Sequence, residues 1–110
     1  MKMDQRVLVD SFSYAEYVDI DRYNQPVYKD AVEVSNCRID RNSVYSKQSN
    51  NTTVVADAVI FCYADGTVPF TDFKEQSKAV FDGKEHVIVK AVRVTNPYTN
   101  EAFAYELEVI

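Results

Sequence analysis

Alternation of apolar and polar residues with a period of two dominates this chain, and it restricts the possible folds more than any other feature. It is clearest between Glu101 and Ile110. Side chains on a strand alternate between the two faces of a sheet. The residues expected to face inward are Phe103, Tyr105, Leu107 and Val109, and those expected to face outward are Ala104, Glu106 and Glu108. Because no long stretch has the period of an amphipathic helix, the sequence predicts a mostly β fold.

Two turns divide the C-terminal half into a meander of strands. Asp82-Gly83 lies between the apolar residues 79–81 and the stretch from Lys84 to Val94. Asp-Gly readily adopts the two positive φ angles of a type I′ turn, so these stretches are predicted to pair as a hairpin. Asn96–Asn100 is predicted to form a second turn before the last strand.

Three further segments extend this pattern towards the N-terminus. Ser11–Val18 alternates with one break at Glu16, and the turn formers of Asp19–Pro26 predict a loop or hairpin turn. Val54–Tyr63 is apolar on both faces, as expected of a strand that is covered on both sides. Pro69–Gln76 has few strand formers and is predicted to be a loop with at most one helical turn.

The segment Ala31–Asp40 alternates out of phase with itself. Its two interior valines share one face, whereas Cys37 and Ile39 share the opposite face. A bulge or bend near Ser35-Asn36 would bring both sets to the same side. The strands recur at the spacing of a sandwich or barrel, so we predict a small antiparallel β-barrel of about five to seven strands, with a long polar loop and at most one short helix.

Length and composition are those of a globular domain. The chain has 110 residues, of which 46% are hydrophobic and 26% charged, so residues 1–110 are expected to fold as one domain. Cys37 and Cys62 lie in apolar stretches and are expected to be buried free thiols rather than a disulfide. Neither a cleavable leader nor a membrane-spanning apolar run is apparent, which predicts a cytosolic protein.

A polar tract without glycine or proline separates two predicted strands, between Asp40 and Val54. Its residues are Asn42, Ser43, Val44, Tyr45, Ser46, Lys47, Gln48, Ser49, Asn50, Asn51, Thr52 and Thr53. Connections between strands usually have about 4 to 6 residues, and longer ones are commonly disordered or functional. If the tract projects with two legs, about 3.3 Å per residue gives a reach of roughly 20 Å. The tract is therefore the candidate interaction site, for contact or obstruction rather than chemistry.

Other residues that could carry chemistry have simpler structural interpretations. Asp19, Asp21 and the residues after them lack the glycine and the closing glutamate of a calcium loop, and His86 has no second ligand at metal-binding spacing. Glu106 and Glu108 share one strand face, as solvated residues commonly do. With 2 glycines, the chain has no phosphate-binding loop. We predict no catalytic residue, no metal site and no cofactor.

Several segments occur in an order and spacing shared with a known family. They are Phe12-Ser-Tyr14, Asp21–Tyr28, Asn36-Cys-Arg-Ile-Asp40, the polar tract, Ala58-Val-Ile-Phe61 and Phe73–Ile88. In these segments the chain resembles the minor capsid or head–tail connector proteins of tailed phages and prophages of Gram-positive bacteria. The resemblance covers almost the whole chain and includes no catalytic signature. His86 departs from it, because an aromatic residue is expected at that position.

The resemblance implies a β-barrel connector subunit, without catalysis, that joins a ring at the portal vertex between the DNA-filled head and the tail. Its implied partners are copies of itself and other phage structural proteins, namely a portal or adaptor ring or a tail-side ring. The tract Asn42–Thr53 would face the channel, and DNA would pass without sequence-specific binding. The implied location is the virion, with assembly in the bacterial cytoplasm.

A second hypothesis is a single-strand nucleic-acid-binding module built on an oligonucleotide-binding barrel. The 8 tyrosines and 6 phenylalanines of the chain are of the type that stacks on bases. This mode also needs a continuous basic groove, whereas the formal net charge is -5 and the basic residues are dispersed along the sequence. An acidic chain suits the passage of DNA better than its retention, which favours the connector hypothesis.

Overall fold

Short strands account for all of the regular secondary structure in the part of the chain that is described. The computed structural model describes residues 8–42, 44–48 and 51–110, with the backbone alone for 44–48 and 51–55. The strands are β1 (Asp10–Ala15), β2 (Tyr17–Ile20), β3 (Pro26–Tyr28), β4 (Val32–Asp40), β5 (Val44–Gln48), β6 (Asn51–Ala56), β7 (Ala58–Tyr63), β8 (Lys78–Phe81), β9 (Lys84–Thr95) and β10 (Ala102–Val109). Within these residues there is no helix.

A set of six strands closes into an antiparallel barrel in the order β1-β4-β7-β10-β9-β8. β8 completes the ring by pairing with β1, where Ser13 lies opposite Val80 and Tyr14 opposite Ala79. Inward side chains of all six strands form one apolar core, in which Ile60, among others, is fully buried. The predicted mostly β fold and small antiparallel barrel are confirmed, and the strand number is within the predicted range.

The remaining four strands form two separate two-stranded sheets. The arm (Tyr17–Tyr28, β2 and β3) connects the end of β1 to the start of β4, and the finger (Val44–Ala56, β5 and β6) connects the end of β4 to the start of β7. Because β1, β4 and β7 are antiparallel neighbours, the arm and the finger leave opposite ends of the barrel. The Cα radius of gyration is 14.8 Å, above the value of about 13 Å expected for a compact domain of this length.

The bulge predicted near Ser35-Asn36 is present. The register between β1 and β4 shifts at this point, and Asn36 has a φ of 61°. Asparagine tolerates this left-handed backbone better than most residues do, and one extra residue in a strand reverses the side-chain alternation that follows it. Val34 and Cys37 are therefore both fully buried, and Ile39 is buried beyond them.

The predicted turns are also confirmed. Asp82 and Gly83 have φ angles of 53° and 73°, as a type I′ turn requires, and they join β8 to β9. A Cβ atom at Gly83 would meet nothing within 4 Å, so the backbone angle rather than crowding favours glycine here. The break at Glu16 separates β1 from β2, and Asp19–Pro26 contains the hairpin turn of the arm.

The inward and outward assignment of β10 is correct along most of the strand and wrong at its start. Three residues predicted to face inward are buried, namely Tyr105, Leu107 and Val109. Ala104, predicted to face outward, is also buried, whereas Phe103 is only half-buried and lines a cleft beside Pro97 and Tyr98. The cause is a register shift between Ala102 and Ala104 in the pairing with β9, which interrupts the alternation.

The apolar segment Val54–Tyr63 is two strands rather than one. Asp57 separates β6 from β7, and its backbone N–H donates to the carbonyl of Val109 at 2.7 Å. In β7 only one face is buried, formed by Ala58, Ile60 and Cys62, while the alternate residues are half-buried. The expectation that this strand is covered on both sides is therefore wrong, because nothing in the described part of the chain packs fully over the outer face of the barrel.

The segment Phe70–Ser77 covers the core at the end of the barrel from which the arm leaves. It does not form the helical turn that the sequence allowed for. Phe73 is buried among aromatic rings, with centroids 5.1 Å from Tyr14 and 5.5 Å from Tyr105. The Tyr105 hydroxyl donates to Asp72 Oδ1 at 2.7 Å. Edge-to-face ring packing, rather than secondary structure, therefore holds this segment in place.

Cys37 and Cys62 are free and fully buried, as predicted. They lie on the neighbouring strands β4 and β7. The hydrogen bond with Cys37 and burial in the apolar core raise the pKa of the Cys62 thiol well above its usual value. Because the thiolate is the reactive form of cysteine, Cys62 behaves as a small core residue rather than as a nucleophile.

Truncation of Phe73 is expected to loosen this end of the barrel. Phe73→Ala removes the ring that packs against Tyr14 and Tyr105, and we expect the free energy of unfolding to fall by about 3–5 kcal/mol. Urea denaturation followed by circular dichroism measures the change. In the control Tyr98→Ala, the removed side chain is 94% exposed, so the change should stay within about 0.5 kcal/mol. Equal effects of the two substitutions would contradict this account of the core.

Candidate functional site: the finger and its base

The polar tract proposed as an interaction site forms most of the finger. β5 and β6 pair antiparallel, from Gln48 opposite Asn51 to Tyr45 opposite Val54, and they share no ladder with the barrel strands. The tract is therefore a hairpin rather than an irregular loop. At about 3.3 Å per residue, the five residues of β5 span about 17 Å, close to the predicted reach.

The twelve candidate residues have different positions in this hairpin. Asn42 lies in a bend after β4, Val44–Gln48 form β5, and Asn51–Thr53 begin β6. Ser43, Ser49 and Asn50 lie outside the described residues. The structure thus brings the two legs of the tract together by backbone pairing, which the sequence did not predict.

Arg41 fixes the base of the finger to two other parts of the barrel. Its Nε lies 2.6 Å from Asp82 Oδ2 and its Nη2 lies 3.2 Å from Asp82 Oδ1, so the guanidinium grips this carboxylate with two donors. Nη2 also lies 3.3 Å from Asp10 Oδ1. Asp10 begins β1 and Asp82 lies in the turn between β8 and β9. One side chain therefore links the end of β4 to the start of β1 and to the turn between β8 and β9.

Hydrogen bonds also set the entry and the exit of the finger. On the entry side, Asp40 Oδ1 accepts from the backbone N–H of Asn42 at 3.1 Å and from its side-chain Nδ2 at 2.8 Å. This arrangement directs the chain away from the barrel after β4. On the exit side, the bond from Asp57 N–H to the Val109 carbonyl begins β7 beside β10. The finger is thus held at both of its ends.

Charge complementarity at the base shifts two pKa values in the expected directions. Hydrogen bonding to Asp82 raises the pKa of Arg41, and the same contact holds the pKa of Asp82 below its ordinary value. Both side chains are about half exposed, at 47% and 53%, so solvent screens the pair and its effect on global stability is small. Its geometry is bidentate, however, and bidentate contacts restrict orientation. Arg41 therefore serves mainly to orient the finger.

A cleft of about 440 Å³ opens beside this base. It is lined by Arg41, Asp57, Ala58, Phe81, Asp82, Lys84 and His86. The His86 ring stacks on Phe81 with a centroid distance of 4.3 Å and an interplanar angle of 9°. The family resemblance implied an aromatic residue at this position, and His86 presents a flat ring that stacks on its neighbour. Among the described residues, no three His, Cys, Asp or Glu side chains are grouped to hold a metal ion.

Sequence reasoning missed the base of the finger. Arg41 and Asp82 are 41 positions apart, and their contact depends on barrel closure rather than on any local pattern. The sequence gives only a weak indication of this contact. An arginine directly precedes the polar tract, and an aspartate lies in the Asp82-Gly83 turn. Neither residue predicts the other without the strand order.

The described part of the chain is a closed β-barrel with two projecting hairpins, and ion pairs of Arg41 fix the base of one of them. A sequence comparison identifies the family. The family model described as minor capsid protein matches residues 4–109, so the chain belongs to the minor capsid protein family. This family is structural, which gives the chain a structural role in a phage and places it in the virion.

Comparison with individual proteins supports the phage assignment. The chain is 28% identical over 93 residues to a protein of Lactococcus phage LL-H named uncharacterized protein ORF5, and the match covers 82% of this chain and 79% of that protein. No solved structure matches the chain. No helix in the described ranges is long and apolar enough to cross a membrane.

Removal of Arg41 is expected to loosen the finger while leaving the barrel intact. In Arg41→Gln, the contacts with Asp82 and Asp10 are lost, and we expect amide hydrogen exchange in the finger to accelerate by about two- to fivefold. Exchange in β7 and β10 should not change. The matched control is Lys29→Gln, which breaks an exposed ion pair with Glu16 at the root of the arm. Faster exchange of the finger in both variants would contradict a specific role for Arg41.

The attachment of the finger should also depend on acid. A carboxyl group whose pKa is lowered on folding stabilises the folded state above its unfolded pKa of about 4 and loses this contribution as the pH falls through the folded value. Asp82 is such a group. We therefore expect protection of the finger to decline below about pH 4 in the natural chain and to change less in Arg41→Gln. Identical acid dependence in the two proteins would show that Asp82 is not the controlling group.

Proposed function

We propose that this minor capsid protein is a connector subunit at the head–tail junction of a tailed phage or prophage. In this proposal, copies of the chain assemble into a ring at the portal vertex, and the finger of each copy reaches the channel through which DNA passes. Residues 1–110 act as one connector domain without catalysis, and assembly takes place in the bacterial cytoplasm. The partners are other copies and a portal, adaptor or tail-side ring.

The finger is the observation that carries this proposal. It is a paired hairpin attached to a closed barrel, with ion pairs and hydrogen bonds concentrated at its base. Its tract is rich in serine, asparagine and threonine, and Lys47 is the one charged residue between Asn42 and Thr53. Such a sequence remains solvated and has little apolar surface with which to fold back onto the barrel. A rigid base with a polar projection suits contact across an aqueous channel.

The charge of the chain is compatible with DNA that moves past the finger. Affinity for DNA rises with the number of phosphates that a protein neutralises, and it therefore requires clustered lysine and arginine. This chain has a formal net charge of -5. A channel lined by such subunits would repel the phosphate backbone weakly instead of retaining it. This balance supports the proposed passage of DNA without sequence-specific binding.

The alternative of a single-strand nucleic-acid-binding module receives less support from the position of the aromatic residues. Base stacking needs exposed aromatic rings along a basic groove. In the described part of the chain, the largest aromatic cluster faces the core instead, through Phe12, Tyr14, Phe73 and Tyr105. The barrel is also closed and six-stranded, whereas the oligonucleotide-binding fold is a five-stranded, partly open barrel.

Shortening of the finger tests the proposed role in the channel. The residues Ser46–Thr53 are replaced by Asn-Gly, which closes a type I′ turn directly on the Tyr45–Val54 pair and preserves the register of the base. We expect the variant to fold and to enter virions, because the barrel and Arg41 are unchanged. We also expect these particles to lose packaged DNA, measured as the DNA content of purified heads and the infectious titre.

A matched control keeps the finger at full length. In this control, Ser46–Thr53 is present in reversed order, so length and composition are retained while individual positions change. Virions that carry it should retain DNA if reach and polarity are the properties that matter. Full-length, infectious, DNA-filled virions with the shortened finger would refute a role of the finger in the channel.

A further inference from the structure

We propose that the arm is the contact through which one copy of this chain docks on the next. The inference rests on the proposed ring assembly and specifies its surfaces. The apolar face of the arm of one copy packs on an exposed aliphatic patch formed by Val87, Val89 and Ile110 of a neighbouring copy. The interface is head-to-tail, because the two surfaces belong to different parts of the same chain.

The arm is built to keep a fixed shape. At its tip, Asp21 Oδ1 accepts from the backbone N–H groups of Tyr23 at 2.8 Å and Gln25 at 2.9 Å, and Asn24 has the left-handed φ of 60° that closes the turn. At its root, the Tyr17 N–H donates to Ser77 Oγ at 3.0 Å. A projection that is already rigid loses little conformational entropy when it binds.

One face of the arm is apolar throughout. Tyr17 pairs with Tyr28, and Ile20 pairs with Pro26. Because Pro26 and Tyr28 are two residues apart on β3, both pairs share a face, and Val18 joins it by alternation with Ile20. The outer part of this face is open to solvent, with Val18 49% and Ile20 52% exposed. A two-stranded sheet with half-exposed aliphatic residues is the type of surface that a partner covers.

A second aliphatic patch lies on the outside of the barrel. Val87 and Val89 of β9 are each 40% exposed, and Ile110 is 50% exposed. Two backbone hydrogen bonds of 3.0 Å, one in each direction, hold Ile110 beside Val87. Val87 and Ile110 are therefore neighbours on the outer face, and Val89 lies two residues along β9, at a register shift with β10. The outer part of the arm presents Val18, Ile20 and Pro26 as the apolar counterpart of this patch.

Charge identifies a second copy of the chain as the occupant. The segment 16–30, which contains the arm, has four acidic and two basic residues. The segment 78–95, which contains β8 and β9, has four basic and two acidic residues, although the chain as a whole is acidic. Surfaces of opposite net charge steer each other into register, and each copy carries both. Glu108 offsets part of the basic charge by its contact with Lys90 at 4.0 Å.

Closure of the barrel also limits the surfaces through which copies of the chain can contact each other. Each of its six strands has a neighbour on both sides, so the barrel offers little free edge for strand addition by another copy. Contacts between copies are therefore expected to use side chains on the outer face, or the hairpins. A head-to-tail contact of this type repeats by rotation and generates a ring or an open filament instead of a closed dimer.

Sedimentation equilibrium of the purified chain tests this interface. We expect concentration-dependent self-association of the natural chain up to about 1 mM, a range that detects weak contacts. Ile20→Asp and Val89→Asp should each weaken association by about tenfold or more, because each places a charge in the apolar contact. Val9→Asp changes a valine that is 77% exposed outside both surfaces, and it should have no effect. A natural chain that remains monomeric, or equal effects of all three variants, would overturn the proposal.

Cross-linking establishes which surfaces meet. A chain that carries both Ile20→Cys and Val89→Cys is treated with a short bismaleimide, and the natural cysteines are fully buried and should not react. We expect a ladder of dimers, trimers and larger species, which neither single variant should give. Absence of cross-links between copies, or products that stop at the dimer, would exclude the head-to-tail contact. These outcomes are independent of the finger-shortening experiment. Heads with a shortened finger could lose DNA whichever surfaces join the subunits.

Discussion

The pairing of β1 with β8 is the constraint on which the rest of this structure depends. These two strands join the ends of the sheet, so every barrel strand has two neighbours and the core is enclosed on all sides. Closure also brings the start of β1, the end of β4 and the turn after β8 to one end of the barrel. Arg41 can reach Asp10 and Asp82 only because these three elements meet there. The orientation of the finger is thus a consequence of barrel closure.

A closed barrel also divides the chain into parts with different physical demands. The strands must bury apolar side chains and satisfy their ladders, and their outer faces are free to vary within those limits. The arm and the finger are not part of the barrel, and they extend from its opposite ends. In the proposed connector, the finger reaches the channel through which DNA passes, and the arm contacts a neighbouring copy. Separation at opposite ends would allow the two contacts to change independently.

Local patterns predicted the fold well where the decisive interactions are local. The Asp82-Gly83 turn follows from the backbone preferences of two residues, and the bulge at Asn36 follows from a phase change that one strand shows by itself. The alternation of β10 is correct from Tyr105 onward, and it fails at Phe103 because a register shift with β9 cannot be seen in a single strand.

The finger is a second case in which non-local contacts limited what the sequence could predict. The residues of its polar tract show no clear alternation, so the sequence predicted a polar loop there and no strands. Pairing of β5 with β6 depends on the barrel, which brings the ends of β4 and β7 together and so closes the hairpin at its base. The partners of Arg41 are equally non-local. Neither the pairing within the finger nor the contacts at its base could therefore be predicted from the tract alone.

The ladder of the finger has a consequence for how such proteins diverge. A residue inserted into one leg would need a bulge, whereas one residue added to each leg extends the ladder by a further cross-strand pair. Each such step moves the tip outward by about 3.3 Å and leaves the ion pairs of Arg41 untouched. In the proposed connector, related chains whose fingers reach into channels of different width are therefore expected to differ here by even numbers of residues.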